Sequence, residues 1–209
     1  MKIGIIAASG KAGSTLLEEA IKRGHDVTAI VRNKEKLQNK EVAFIEKDLF
    51  DLTSLDLAGF DVIINAFNAP QDKPNLHVTS LAHLTSILKD SDTRLVVVGG
   101  AGSLYINKEH SLQLKDGKDF PDAFKPTAIA MSEALANLRL VTDVNWLYLS
   151  PAAFFNPEGE RTGHYTLTGE EFTTNEKGES VISYQDYAVA LLDQIETNTD
   201  NQVRVSVRY

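Results

Sequence analysis

Apolar positions along this chain fall into short, evenly spaced runs. Met1 to Ala8 (MKIGIIAA) reads as a buried strand. Asp26 to Val31 (DVTAIV), Val42 to Glu46 (VAFIE), Asp61 to Asn65 (DVIIN), Leu95 to Val98 (LVVV) and Asn145 to Leu149 (NWLYL) repeat the pattern. The runs of the first half are rich in Val and Ile and apolar at successive positions, as expected of parallel strands covered on both faces. Gln202 to Val207 alternates polar and apolar residues and predicts a last strand. Between the runs, helical spacing predicts helices over Ser14 to Arg23, Lys34 to Leu37, Leu52 to Leu57, Asn75 to Lys89, Pro126 to about Thr142 and Tyr184 to Glu196. Gly24 suits the residue just past a helix end, and Pro126 a first helical position. Ser183-x-x-Asp186 has the spacing of a capping box.

Strands alternating with helices predict an α/β chain with a doubly wound parallel sheet. Gly99 to Lys125 reads as a long loop. Residues 152 to 183 hold Pro157, Gly159, Gly163, Gly169 and Gly178. They read as loops and short strands outside the main sheet, a small lobe on the substrate side. Residues 1 to 209 form one domain in this reading, without repeats or a linker.

The first junction carries the chemistry. Ala7-Ala8-Ser9-Gly10-Lys11-Ala12-Gly13 joins the first strand to the first helix. A glycine turn there lets the backbone approach a pyrophosphate, and the helix N-terminus adds free N–H groups and partial positive charge. Ala8, Ser9, Gly10, Lys11, Ala12 and Gly13 are therefore the expected phosphate cradle. The pattern departs from G-x-G-x-x-G, because Ala7 fills the first glycine slot. At the end of the second strand, a carboxylate for ribose hydroxyls is the usual NAD feature. Here Arg32 follows Val31, with Asn33, Lys34 and Lys36 behind it. A guanidinium can pair with a 2′-phosphate, which predicts NADP rather than NAD. A plain solvated charge at a strand end is the competing account. Asp48 suits either the adenine amino group or a helix cap, with Leu49 or Phe50 to cover the ring. Asn65, Ala66 and Phe67 follow the fourth strand, at the edge where such sheets bind ligands.

Composition narrows the rest. A net charge of −8 speaks against nucleic acid as partner. The chain has no cysteine, which excludes thiolate nucleophiles and zinc-thiolate sites. Its five histidines show no metal-ligand spacing, so no metal is expected. No apolar run approaches the ~20 residues that span a bilayer. The expected setting is cytoplasmic, away from membranes, with a small-molecule acceptor as partner. Nothing in the sequence sets an oligomeric state.

Taken together, Ser9-Gly10-x-x-Gly13, Arg32, Asp48, Asn65-Ala66-Phe67, Val98-Gly99-Gly100-Ala101-Gly102-Ser103-Leu104 and Asp186-Tyr187-Ala188 resemble the atypical short-chain dehydrogenase/reductases. More narrowly, with Leu149-Ser150-Pro151-Ala152, Arg161-Thr162-Gly163-x-Tyr165 and Ser180-x-Ile182-Ser183-Tyr184, the chain resembles the NmrA-like branch that includes biliverdin-IXβ and flavin reductases. The resemblance covers essentially the full chain. It implies a Rossmann-type fold, NADP(H) binding and reduction of flavin-like or quinone-like acceptors, with flavin as substrate.

One feature of the superfamily is missing. Tyr-x-x-x-Lys pairs a lysine with a tyrosine that trades a proton with an alcohol or carbonyl. None of the tyrosines at 105, 148, 165, 184, 187 and 209 has a lysine four residues on. Flavin or quinone reduction fits that absence, since the reduced acceptor is delocalised and takes its proton from water. Ser103 is the expected group beside the nicotinamide, or a turn serine. His164 could supply a proton or stack on a planar ligand, or be incidental to the reaction. Tyr165, Phe154 and Phe155 are candidates for the wall of an acceptor pocket, or for core packing, the commoner fate of such aromatics. The competing function is a redox sensor that binds NADP(H) without turnover.

Overall fold

In the computed structural model, which describes residues 1–197 and 199–209, the strands are β1 (Lys2–Ile6), β2 (Asp26–Val31), β3 (Ala43–Glu46), β4 (Val62–Asn65), β5 (Arg94–Val98), β6 (Trp146–Ser150), β7 (Phe154–Asn156), β8 (Thr166–Thr168), β9 (Val181–Ser183) and β10 (Val203–Arg208). The helices are α1 (Lys11–Lys22), α2 (Leu76–Ile87), α3 (Lys125–Leu138) and α4 (Tyr184–Thr197). The main sheet runs β3-β2-β1-β4-β5-β6-β10-β8. All its pairs are parallel except β10 with β8. This is the Rossmann-type α/β architecture. Strand order reverses between β1 and β4, where Ile6 pairs with Ile30 on one side and Asn65 on the other. Such switch points bind ligands at the carboxyl edge.

Each strand sends alternate side chains to opposite layers. On one face, Leu16, Leu17 and Ala20 of α1 and Leu191 and Ile195 of α4 join Ile3, Ile5, Ile64, Val96 and Leu149 in one core. On the other, Leu81 and Leu84 of α2 and Leu135 and Leu138 of α3 join Ile6, Ile63, Leu95, Val97, Trp146 and Tyr148. Among the described residues no helix is long and apolar enough to cross a membrane.

Helix α1 stops as its sequence predicts. Gly24 takes φ +78°. Its N–H donates to the Ile21 carbonyl at 2.9 Å, and the His25 N–H to the Ala20 carbonyl at 3.2 Å. This double bond pattern closes a helix through a left-handed residue. Alanine at position 24 has open space for its Cβ but the wrong φ. Gly24→Ala should cost about 1 kcal/mol and lower Tm by about 2–4 °C, read by circular dichroism. An unchanged Tm would mean that the left-handed turn is not under strain.

Four expectations need correction. Leu52 to Leu57 is not a helix. Asp56 accepts the Thr53 N–H and hydroxyl, both at 2.7 Å, and these local bonds hold a turn instead. Leu52 and Leu57 still reach the core. Lys34 to Leu37 shrinks to one 3-10 turn over Lys34–Lys36, capped by the Asn33 side chain. Part of the 152–183 lobe belongs to the main sheet, because Thr166–Thr168 pairs with β10; β7 and β9 form a separate two-stranded parallel sheet. The capping box is half made. The Asp186 N–H donates to Ser183 Oγ at 2.9 Å, but the Asp186 carboxylate turns elsewhere.

Candidate functional site

The turn between β1 and α1 is built from backbone bonds. The Ala7 N–H donates to the Ile30 carbonyl at 2.9 Å, and the Gly10 N–H to the Ala7 carbonyl at 2.9 Å. Ala7 has φ +60°, so the first glycine slot keeps a glycine conformation although alanine fills it. Gly10 caps α1, and the Ser14 N–H is the first to bond back, to the Gly10 carbonyl at 2.8 Å. The N–H groups of Lys11, Ala12 and Gly13 meet no acceptor among the described residues. A Cβ on Gly13 would lie 2.3 Å from the Ala7 oxygen and 2.9 Å from Ala8 Cα; one on Gly10 would lie 3.2 Å from the same oxygen. Ser9, Gly10 and Lys11 face solvent and Ala8 lies beneath them. Three free donors at a helix N-terminus, on a turn closed by two glycines, fit a dinucleotide diphosphate.

Arg32 leaves the end of β2 with 79% of its side chain exposed, its Nε 3.9 Å from Asp48 Oδ2. Asp48 Oδ1 accepts the Phe50 N–H at 3.0 Å, which caps a short 3-10 turn. The capping role is therefore present, and the second oxygen faces Arg32. The Glu46 carboxylate is occupied by the Lys34 N–H at 3.0 Å. Leu49 is buried among the core residues beneath α2, whereas Phe50 is partly exposed. Phe50 meets Phe67 edge-on at 6.4 Å between ring centres, linking the β2–β3 end to the edge of β4.

At the end of β4 the Asn65 Oδ1 accepts the Phe67 N–H at 3.2 Å, and the Ala66 N–H donates to the Ile6 carbonyl at 3.2 Å. Asn65 and Phe67 line a small cleft with His77, Ser80, Met131 and Tyr148. Burial pushes the His77 pKa down, so the imidazole is neutral.

The glycines after β5 are pressed from both layers. A Cβ on Gly99 would lie 2.2 Å from Tyr148 Cε1. The Gly100 N–H donates to the Tyr148 hydroxyl at 3.3 Å. The Tyr187 hydroxyl donates to the Leu149 carbonyl at 2.7 Å, which also accepts the Gly99 N–H at 2.8 Å. Burial pushes the Tyr148 pKa up to about 12 and raises that of Tyr187 strongly, so both act as neutral braces. Helix α3 offers Ala128 to Gly102, 2.7 Å from a Cβ there, and Met131 to Gly100, 3.0 Å from a Cβ there. Neither can ionise. Ser103 is buried, and its Oγ has no hydrogen-bond partner among the described residues. Its carbonyl accepts from Arg204 Nη2 at 3.5 Å. The Arg204 side chain is fully buried, paired with the Glu170 carboxylate and donating to Ser150 Oγ at 3.5 Å. Burial alone would raise the Glu170 pKa, but Arg204 and Arg139 hold it below the usual range.

Residues 7–198 match the NAD(P)H-binding family. The chain belongs to that family. It is 50% identical over 208 residues to YwnB of Bacillus subtilis, covering 99% of this chain and 98% of YwnB. A solved Streptococcus pneumoniae protein, provisionally named an NADH-flavin reductase, is 49% identical with a TM-score of 0.95, covering 100% of this chain and 99% of that one. A Lactobacillus casei structure is 32% identical with a TM-score of 0.90, over 100% and 99% of the two chains. These likenesses agree with the short-chain dehydrogenase/reductase resemblance.

In this NAD(P)H-binding chain the two residues expected to meet the acceptor lie on different layers. Ser103 sits on the 3-10 turn packed against α3. His164 is exposed on a loop fastened to α1 and α4. Arg161 pairs with Glu19 at 3.0 Å, the Asp186 carboxylate takes the N–H groups of Thr162 and Gly163, and the Tyr165 hydroxyl donates to Asp193 at 2.5 Å. Tyr165 and Phe155 pack, partly buried, on the α1/α4 core, and Phe154 is exposed. Sequence reasoning missed Arg204 and Glu170. A lone arginine in an alternating strand gives no sign that its head lies buried beside Ser103.

Proposed function

We propose that this protein is an NADPH-dependent reductase that passes hydride to a flavin-like or quinone-like acceptor. One observation carries the reading: the dinucleotide turn is complete, while the residues α3 presents to the glycines after β5 are Ala128 and Met131. Alcohol or carbonyl chemistry needs a proton-trading group there; a delocalised acceptor does not. The bound nicotinamide supplies the hydride. The chain supplies binding and orientation. The N–H groups of Lys11, Ala12 and Gly13 hold the diphosphate. Asp48 and Phe50 take the adenine end. Asn65, Ala66 and Phe67 form the floor beneath the nicotinamide half. Ser103 offers its unpartnered hydroxyl to the acceptor. His164 is the second candidate, for an acceptor that reaches across the sheet edge. The name of the Streptococcus pneumoniae relative supports flavin as the acceptor.

Mixing the protein with NADPH and FMN, FAD or a quinone, and following the loss of nicotinamide absorbance, tests the reading. Turnover is expected. Tight NADPH binding with no turnover on any of the three acceptors would favour the sensor.

NADPH rather than NADH rests on Arg32, whose exposed guanidinium has Asp48 as its carboxylate neighbour within 4 Å among the described residues. Arg32→Ala should weaken NADPH binding about tenfold, the worth of one exposed charge-assisted contact, and leave NADH within twofold. Calorimetry showing equal effects on the two cofactors would remove the assignment.

A further inference from the structure

The short 3-10 turn Leu114–Asp116 lies directly on the Ala101–Ser103 turn. The Leu114 N–H donates to the Leu104 carbonyl at 2.8 Å. The Lys115 Cβ sits 3.7 Å from where a Cβ on Gly102 would be, so the lysine stem lies against the segment that carries Ser103. That stem is largely covered; only 16% of the Lys115 side chain is exposed. The ammonium donates one hydrogen bond to Asp116 Oδ1 at 3.0 Å, and Asp116 is itself fixed by the Gln113 N–H at 3.1 Å on its other oxygen. The two remaining ammonium protons meet no acceptor among the described residues.

The neighbouring cations are placed differently. Arg204 and Arg139 are both spent on Glu170. Lys125 is more exposed and pairs with an exposed Asp122. Lys108 and Lys118 are exposed. Among these cations Lys115 combines a covered stem on the segment that carries Ser103, a head fixed by Asp116, and donors to spare.

The chemistry of the proposed reduction asks for such a group. Hydride carries one proton and two electrons from nicotinamide C4 to the acceptor. The C4–H bond breaks, the new bond to hydrogen forms on the acceptor, the nicotinamide is oxidised, and a neutral acceptor becomes an anion until water protonates it. A cation fixed beforehand stabilises charge that develops at that moment. Lysine serves as a compact point charge for this, without any proton leaving it. We infer that Lys115 is the charge-compensating group of the acceptor site, and that it favours planar acceptors whose reduced form is an anion centred on a ring carbonyl. This rests on the reductase reading above.

The test is binding, without nicotinamide. Oxidised FMN and anaerobically reduced FMN are titrated against wild type, Lys115→Met and Lys115→Arg, and affinity is read from protein fluorescence. Methionine keeps the stem that packs on Gly102, and circular dichroism checks the fold. Wild type should bind reduced FMN at least tenfold more tightly than oxidised FMN. Lys115→Met should lose that preference, weakening the reduced form about tenfold and the oxidised form less than twofold, and Lys115→Arg should keep most of it. Equal losses on both forms would put the lysine on the FMN phosphate and overturn the inference. So would a wild type that binds both forms equally, or a methionine variant that keeps the preference. A wild type that binds neither form, while binding NADPH, would remove flavin as the acceptor from the reductase reading, and Lys115 would fall with it.

Discussion

Gly13→Ala is expected to abolish measurable NAD(P)H binding and to lower Tm by several degrees. The new Cβ would lie 2.3 Å from the Ala7 oxygen and 2.9 Å from both the Ala7 carbon and Ala8 Cα. All three are backbone atoms, so no side chain can swing away. The turn and the first turn of α1 must separate, which costs about 1–3 kcal/mol as overpacking, or roughly 2–4 °C for each kcal/mol in a chain of this size. The same movement withdraws the N–H groups of Lys11, Ala12 and Gly13 from one focus. Each hydrogen bond to a charged phosphate is worth about 1.5–3 kcal/mol. Losing two of them weakens binding more than about 100-fold. Gly10→Ala is the control. Its Cβ would make one contact, at 3.2 Å, and neighbouring atoms can yield by a few tenths of an ångström. Its cost to folding should stay under about 1 kcal/mol. Calorimetry with NADPH decides: a folded Gly13→Ala protein that binds within threefold of wild type would remove the diphosphate from this turn.

Much of this architecture was legible because parallel strands covered on both faces must be apolar at every position. DVIIN and LVVV leave little else to be, and Gly24 closes α1 where the helical spacing ends. The unread parts depend on contacts between distant residues. Ala7 adopts a left-handed φ because the bonds to Ile30 and Gly10 impose it, and nothing in the side chain announces that. Leu52 to Leu57 has the composition of a short helix and both leucines reach the core, yet the Asp56 bonds to Thr53 choose a turn. Thr166–Thr168 is too short to read as a strand until β10 is there to pair with it. At the site, the glycine turn from Ala8 to Gly13 was readable from local order. The separation of Ser103 from His164 was not, because it follows from the layer to which each loop is fastened. Lys115 was silent for the same reason: its burial is made by Gly102, thirteen positions earlier.

Asp186 decides how the lobe is fastened, and Asp186→Ala should be the most destabilising change outside the cofactor turn. Its fully buried carboxylate accepts the Thr162 N–H at 2.9 Å, the Thr162 hydroxyl at 2.7 Å, the Gly163 N–H at 2.7 Å and the Tyr209 hydroxyl at 2.7 Å. Those donors come from residues 23 and 24 positions away in the chain, so alanine cuts the tie between the α4 N-terminus and the His164 loop. Water can reach some of the freed donors, since Thr162 and Gly163 lie at the surface. A loss of about 3 kcal/mol is expected, or about 6–12 °C in Tm. Burial alone would raise the Asp186 pKa, but the Thr162, Tyr209 and Gly163 donors outweigh it and hold the carboxyl below the usual range. A depressed folded-state pKa stabilises above the unfolded value of about 3.9 and loses that contribution as pH falls through the folded value. The Tm gap between wild type and Asp186→Ala should therefore stay constant from about pH 8 to pH 5 and close below about pH 4. Asp186→Asn should lose most of the same stability, because an amide NH₂ would face N–H and O–H donors. The loosened loop exposes the bond after Arg161, whose remaining hold is the pair with Glu19. Trypsin should cut there in the variant well below its Tm and spare the wild type. A variant with unchanged Tm and an intact Arg161 bond would show that the lobe is held by its other ties: the β7–β9 and β8–β10 pairing, Arg161–Glu19 and Tyr165–Asp193.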